Sequence, residues 1–188
     1  MGIKKYNIMK LFEKSPLVTS KSITKMIQNS YYKQLIKKLT DSKKIYRIAK
    51  GKYSRFNDPS LFVFAVTPSY LGLQDAMSIH DLWSQETTPI IITSKKIRSG
   101  IRNIMNSNIL VRRIDRRYLF GFEYINFGEY YLPYSDLEKT FIDLVYFNEK
   151  IDDEAINKFK NRLNYKKVKK YLRKYPKKIQ NKCLSPLK

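Results

Sequence analysis

The sequence predicts an α+β protein, and three observations predict it. Residues 15–56 run helix, turn, helix and basic hairpin. Residues 89–134 change to short β-branched and aromatic runs between turn signals, which read as a mostly antiparallel sheet. Residues 153–175 return to helical stripes dense in lysine. The expected domains are a DNA-holding unit over 1–56, a small mixed α/β domain over 57–150 and a basic helical C-terminal tail over 151–188.

The first helix is expected over Tyr6 to Lys14, with Ile8, Leu11 and Phe12 facing the next two, and Ser15-Pro16 stops it. Thr19 to Ile27 reads as a second helix, Thr19 as its N-cap and Ile23, Met26 and Ile27 on one side. A third runs from about Ser30 to Thr40. Its Tyr32, Leu35, Ile36 and Leu39 recur at the spacing of a buried stripe, while Ser30, Lys33, Gln34 and Lys37 form a polar and basic face. Residues 45–48 and 52–56 then make a hairpin with Lys50, Gly51 and Lys52 at its tip. This is the order of a winged helix-turn-helix. The B-DNA major groove admits one α-helix, where Gln can pair with adenine and Lys with guanine or phosphate. Wing lysines would hold the neighbouring backbone without reading sequence. The candidate DNA-binding residues are therefore Thr19, Ser30, Tyr31, Lys33, Gln34, Lys37 and Lys38 from the helices, with Arg47, Lys50, Gly51 and Lys52 from the hairpin.

Charge supports a polyanionic partner. The net charge of +22 is concentrated at the two ends: residues 1–56 hold 15 Lys and Arg against 2 Asp and Glu, and residues 155–188 hold 13 against none. The centre holds 10 against 14. Nucleic acid is the first inference, before membrane, because no apolar run approaches a spanning length. The N-terminus carries no secretory pattern, and a cytoplasmic protein is expected. Cys183 and His80 are the sole residues of their kinds, so neither a disulfide nor a Cys/His metal site is expected.

In the centre, Asp58-Pro59 opens a short helix carrying Leu61 to Val66, and Thr67-Pro68 is read as the start of a longer helix over Ser69 to Trp83. Strands are expected over Pro89 to Thr93, Ile109 to Ile114, Tyr118 to Tyr124 and Glu129 to Tyr134. Ser135-Asp136-Leu137-Glu138 reads as a capping box, serine accepting from the third helical amide, before a helix with Phe141, Ile142, Leu144 and Val145. Two basic helices follow, divided at Asn164-Tyr165, and Lys177 to Lys188 shows little periodicity and is expected to be mobile.

Three stretches resemble the AbiEi family, antitoxins and transcriptional regulators of type IV toxin–antitoxin systems. Lys50-Gly51-Lys52-Tyr53 is similar to the family's (R/K)-x-G-x-Y wing. Residues 68–82, PSYLGLQDAMSIHDL, are similar to its P-S-Y-(I/L)-S-L-x-S-A-L-x-x-H-G-L segment, with Gly72 and Asp75 in place of serine and Asp81 in place of glycine. Residues 136–144, DLEKTFIDL, are similar to its P-E-K-T-L-x-D-L segment. The resemblance implies a repressor that binds inverted repeats at its own promoter, as a homodimer or otherwise, and a functional pairing with a nucleotidyltransferase-like toxin. A free-standing regulator without a toxin is the alternative, as is non-specific single-strand or RNA binding through tyrosines such as Tyr31, Tyr165, Tyr171 and Tyr175.

Enzymatic readings are weaker, and no cofactor is expected. Asp136 and Asp143 share a helix face, but a cap accounts for Glu138, and Lys139 or a neighbouring arginine can pair with Asp143. His80 lies near Asp75 and Asp81 without a nucleophile signature. Asp41-Ser42-Lys43 has nuclease-like spacing but falls in a link between helix and hairpin.

Overall fold

The structure is a computed structural model that describes residues 8–27 and 31–187. It is a mixed α+β protein with a mostly antiparallel, partly parallel sheet. The first elements are α1 (Met9–Lys14), β1 (Val18–Thr19), α2 (Ser20–Ile27), α3 (Tyr32–Asp41), β2 (Tyr46–Ala49) and β3 (Lys52–Ser54). Strands β1, β3 and β2 form a small antiparallel sheet in that order. Ile8, Phe12, Val18, Ile23, Ile36 and Ile45 are its buried cluster, with Tyr32, Leu35 and Leu39 of α3 packed at the edge. The expected stripe is therefore the side that α3 buries.

A 3₁₀ turn (Pro59–Leu61), capped by the Asp58 carboxylate on the Ser60 amide at 2.8 Å, leads into α4 (Phe62–Ala65). The larger sheet has six strands in the order β6-β7-β5-β4-β9-β8. These are β4 (Ser69–Leu71), β5 (Ile90–Thr93), β6 (Gly100–Ile104), β7 (Ser107–Arg113), β8 (Phe122–Asn126) and β9 (Tyr131–Ser135). The β4–β5, β6–β7 and β8–β9 pairs are antiparallel, and β4–β9 and β5–β7 are parallel. Alternation sends neighbouring residues to opposite faces. Tyr70, Ile90 and Ile92 point to one core, and Leu71, Ile91, Ile109 and Val111 to the other. The first core is covered by α6 (Leu137–Tyr146), α7 (Asp153–Arg162), α8 (Tyr165–Leu172) and α9 (Lys177–Leu184); the second by α4 and by Ile48 of β2.

Four expectations change. The helix expected over Ser69 to Trp83 shortens to α5 (Gln74–Ile79), because residues 69–71 are the buried central strand. Gly72 donates its amide to the Ile90 carbonyl, and a Cβ there would lie 2.7 Å from Ile92 Cδ1, so a larger residue would require the Ile92 side chain to shift. The cap of α6 moves by one residue: Asp136, not Ser135, accepts from the Lys139 amide at 2.8 Å. Ser135 ends β9 and bonds the Thr140 hydroxyl, while Glu138 reaches outward to the Asn164 amide and Lys167. The third expected strand begins late, at Phe122, since the Asp115 carboxylate caps a 3₁₀ turn over Arg116–Tyr118. The last segment, expected to be mobile, contains a helix: Ile179, Cys183 and Leu184 of α9, with Leu187 beyond it, pack on the first core. Strand β6 was not expected at all.

Lys139 and Asp143 are both fully buried and form an ion pair one turn apart on α6. The Tyr70 hydroxyl donates to the same carboxylate at 2.6 Å. Replacing Lys139 by Met leaves a buried, unpaired carboxylate and should cost about 3–5 kcal/mol in urea unfolding. Adding Asp143→Asn should restore part of it; a loss for Lys139→Met below about 1 kcal/mol would mean the pair behaves as a solvated one.

A second buried carboxyl, Asp75, joins α5 to two strands, accepting from the Ile90 amide at 3.1 Å and the Tyr134 hydroxyl at 3.4 Å. Burial pushes its pKa from an ordinary 3.8 up to about 7, although both hydrogen bonds favour the charged form. The folded chain thus holds a proton that the unfolded chain releases near its ordinary value. Stability should fall as the pH rises from about 4 to about 7. The urea midpoint of Asp75→Asn should lack this slope; parallel curves for the two chains would exclude Asp75 as its source.

Candidate nucleic-acid interface

The helices present most of the expected residues outward. On α3, Lys33, Gln34, Lys37 and Lys38 are exposed, and their side chains make no hydrogen bond or ion pair with the described residues. They lie opposite the half-buried stripe of Tyr32, Leu35 and Leu39. Tyr31, just before α3, is 57% exposed. Ser30 lies outside the described residues. Thr19 is engaged locally: its hydroxyl oxygen accepts from the Ser22 amide at 3.2 Å, which caps α2. Exposed Lys21 and Lys25 on α2, which the reading of residue spacing left out, add to the positive charge of this unit.

The hairpin is employed differently from expectation. Arg47 and Lys50 are exposed and have no partner among the described residues. Gly51 has φ +69°, and its carbonyl accepts from the Ser20 amide at 2.8 Å. Lys52 turns inward, and its ammonium donates to the Ala65 carbonyl at 2.6 Å. Burial, and then the charge of Lys95, lower the Lys52 pKa. The tip is therefore held between α2 and α4, and of its three expected residues only Lys50 has a free cationic end. Ala49, Lys50 and Lys52 also share a cleft with Arg102, which no spacing in the sequence could join to them.

Further contacts tie this unit to the centre. Arg55 pairs with Glu129 and lies over the Phe56 ring at 4.4 Å, and the Tyr130 hydroxyl donates to Asp58 at 2.6 Å.

Asp75, Asp136, Glu138 and Asp143, weighed for catalysis, all have structural partners. Asp136 also accepts from the Tyr171 hydroxyl at 2.7 Å and pairs with Lys167 at 3.2 Å. His80 Nε2 is 2.8 Å from the Ser135 carbonyl, so as a donor it ties α5 to β9. Asp81 is exposed, and Asp75 is held by Ile90 and Tyr134, so neither is seen orienting the ring. Among the described residues no group of three His, Cys, Asp or Glu is arranged to hold a metal. None of the described helices is long and apolar enough to cross a membrane.

No protein-family profile matches the chain, and neither does any curated protein. A solved structure does: the crystal structure of the RV2827C protein from Mycobacterium tuberculosis, with a TM-score of 0.63 at 12% identity. The match covers 97% of this chain and 75% of that one. The likeness is one of fold.

Gly51→Ala should destabilise the chain by about 1–3 kcal/mol, since φ is positive there and the added Cβ would sit 3.2 Å from Ser20 Oγ. Thermal unfolding checks this. An unchanged melting temperature would mean that the tip rearranges freely.

Proposed function

We propose that this chain is a sequence-specific, double-stranded DNA-binding transcriptional regulator, acting as a repressor through an N-terminal winged helix-turn-helix. The observation that carries the reading is the outward face of α3: Lys33, Gln34, Lys37 and Lys38 are exposed and unpartnered among the described residues. In this reading α3 enters the major groove, where Gln34 and the lysines meet base edges and phosphates. The order α1, β1, α2, α3, β2, β3, with an antiparallel β1-β3-β2 sheet, supports it. So does the positive charge of the first 56 residues. Arg47 and Lys50 would reach flanking phosphate, and Lys52 has a smaller part because its ammonium is engaged with Ala65.

The single-strand alternative is less well supported. Tyr175 is 3% exposed and stacks on Tyr118 at 4.2 Å, while Tyr171 is bonded to Asp136. Of the tail tyrosines considered for stacking, only Tyr165 is exposed. The narrower proposal, an AbiEi-like antitoxin that represses its own promoter and is paired with a nucleotidyltransferase-like toxin, rests on the sequence resemblance. The gene beside this one tests it directly.

The decisive experiment is binding to the duplex upstream of the protein's own gene, against scrambled duplex and single strand, at two salt concentrations. With about 6–10 phosphate contacts, affinity should drop roughly 10³–10⁵-fold between about 50 and 200 mM salt, with the preference for the upstream duplex preserved. Lys33→Ala or Gln34→Ala should cost on the order of 1–3 kcal/mol at one operator position if each contacts a base. Equal binding to every nucleic acid, or full operator affinity in a chain lacking Lys33, Gln34 and Lys37 side chains, would overturn the proposal.

A further inference from the structure

One cavity is separate from the α3 face and from the buried ion pair on α6. It is a cleft of about 490 Å³ where the β2–β3 tip, α4 and β6 meet. Its walls are apolar at Phe62, Val66, Ile97 and Ile104, and cationic at Lys50, Lys52 and Arg102. A neighbouring depression of about 460 Å³, lined by residues 98–102, shares Arg102 with it. Among the described residues no carboxylate lines either one.

The cations of the cleft are incompletely used. Arg102 Nη2 donates to the Arg98 carbonyl at 2.8 Å, and exposed Lys50 has no side-chain partner among the described residues. Lys52 gives the Ala65 carbonyl one of the three N–H groups an ammonium carries, and no acid pairs with it. The bland account is a solvated basic groove. It leaves three cations gathered without a carboxylate, with Lys52 and Lys95 repelling each other beside an apolar wall. An anion with an apolar body offsets that charge and covers that wall. The volume lies within the roughly 300–1,000 Å³ typical of small-molecule clefts.

We propose that this cleft binds a small amphipathic anion, its carboxylate or phosphate head on Arg102 and Lys52 and its apolar body against Phe62, Val66 and Ile104. The head group is shared chemistry between an alkyl carboxylate and an alkyl phosphate. The proposal is independent of the DNA reading, because its test contains no nucleic acid.

The full chain is titrated with octanoate and, separately, with octyl phosphate, by calorimetry and by NMR of the methyl groups at Val66, Ile97 and Ile104. Octanol supplies the body without the charge, and inorganic phosphate the charge without the body. Saturable binding of at least one anion is expected, with shifts at those three methyls and affinity at least about tenfold above both controls. The tighter of the two anions identifies the head group. Arg102→Gln should weaken it by about tenfold or more. Asn103→Glu, at an exposed position on the cleft wall, sets a like charge beside the ligand and should abolish binding without disturbing the core. No saturation by either anion up to about 10 mM would overturn the proposal. So would octanol binding as tightly as octanoate, or undiminished affinity in the Asn103→Glu chain.

Discussion

The burial of Lys139 is the constraint on which the rest of the structure depends. An ammonium withdrawn from water must be paired and surrounded by groups that replace its hydration. Here Asp143 pairs with it from the next turn of α6, and the rings of Tyr70, Phe120 and Tyr175 lie 5.4, 5.5 and 5.8 Å away. Those rings come from the central strand, from the approach to β8 and from the junction of α8 with α9. One desolvated cation therefore links the middle of the sheet, the central helix and the C-terminal helices. An apolar residue at this point would ask only for volume. The ammonium asks for particular partners in particular directions, and the flanking elements must be placed to supply them. Tyr175 does so from a stack with Tyr118 at 4.2 Å, which carries the constraint on to the 3₁₀ turn ahead of β8.

The acidic residues of the middle segment are largely used up by internal structure. Asp58 holds Tyr130, Asp75 holds Ile90, Asp136 and Glu138 hold Lys167, and Glu149 holds Arg112 at 2.7 Å. What remains uncompensated is positive and outward. Lys33, Lys37 and Lys38 on α3 are exposed, as are Lys166, Lys169 and Lys170 on α8 and Lys177 and Lys178 on α9. Few carboxylates remain at the surface to offset them, so the charge met by an approaching polyanion is that of the two ends rather than an average over the chain.

The parts legible in the sequence are those where local pattern and tertiary role coincide. The α3 stripe, the isoleucine run of β5 and the Asp58-Pro59 helix start are examples, and Lys139 is one of the two kinds of partner expected for Asp143. The misreadings have physical causes. Residues 69–82 carry apolar side chains at near-helical spacing, yet Tyr70 and Leu71 must face opposite cores from one strand, which only a period of two allows. Serine and aspartate are both good caps, and the choice between Ser135 and Asp136 was made by β9 extending through Ser135. Helix α9 is strongly basic, and its apolar residues gain a surface to bury against only once α6 is in place. Among the candidate site residues the α3 face was readable because it is a single helix. The fate of Lys52 was not, because its acceptor lies thirteen residues on, in a helix whose position depends on the large sheet.

The same hairpin that turns Lys52 inward also determines how firmly the first unit is held. Among the described residues its own buried cluster holds six, from Ile8 to Ile45, and units of about 60 residues or fewer bury proportionally less surface than larger ones. The hairpin compensates by serving two cores: Ile45, just before β2, and Tyr53 pack with the helices, while Ile48 packs with Leu61 and Val63 across the other side. Gly51 on Ser20 and Lys52 on Ala65 fasten the tip at both flanks. A hairpin held in this way cannot swing independently of α4 or of the cleft beside it. The orientation of the outward α3 face is thus set through the small sheet by the central core, and a change in how the hairpin seats on α4 would be transmitted to that face.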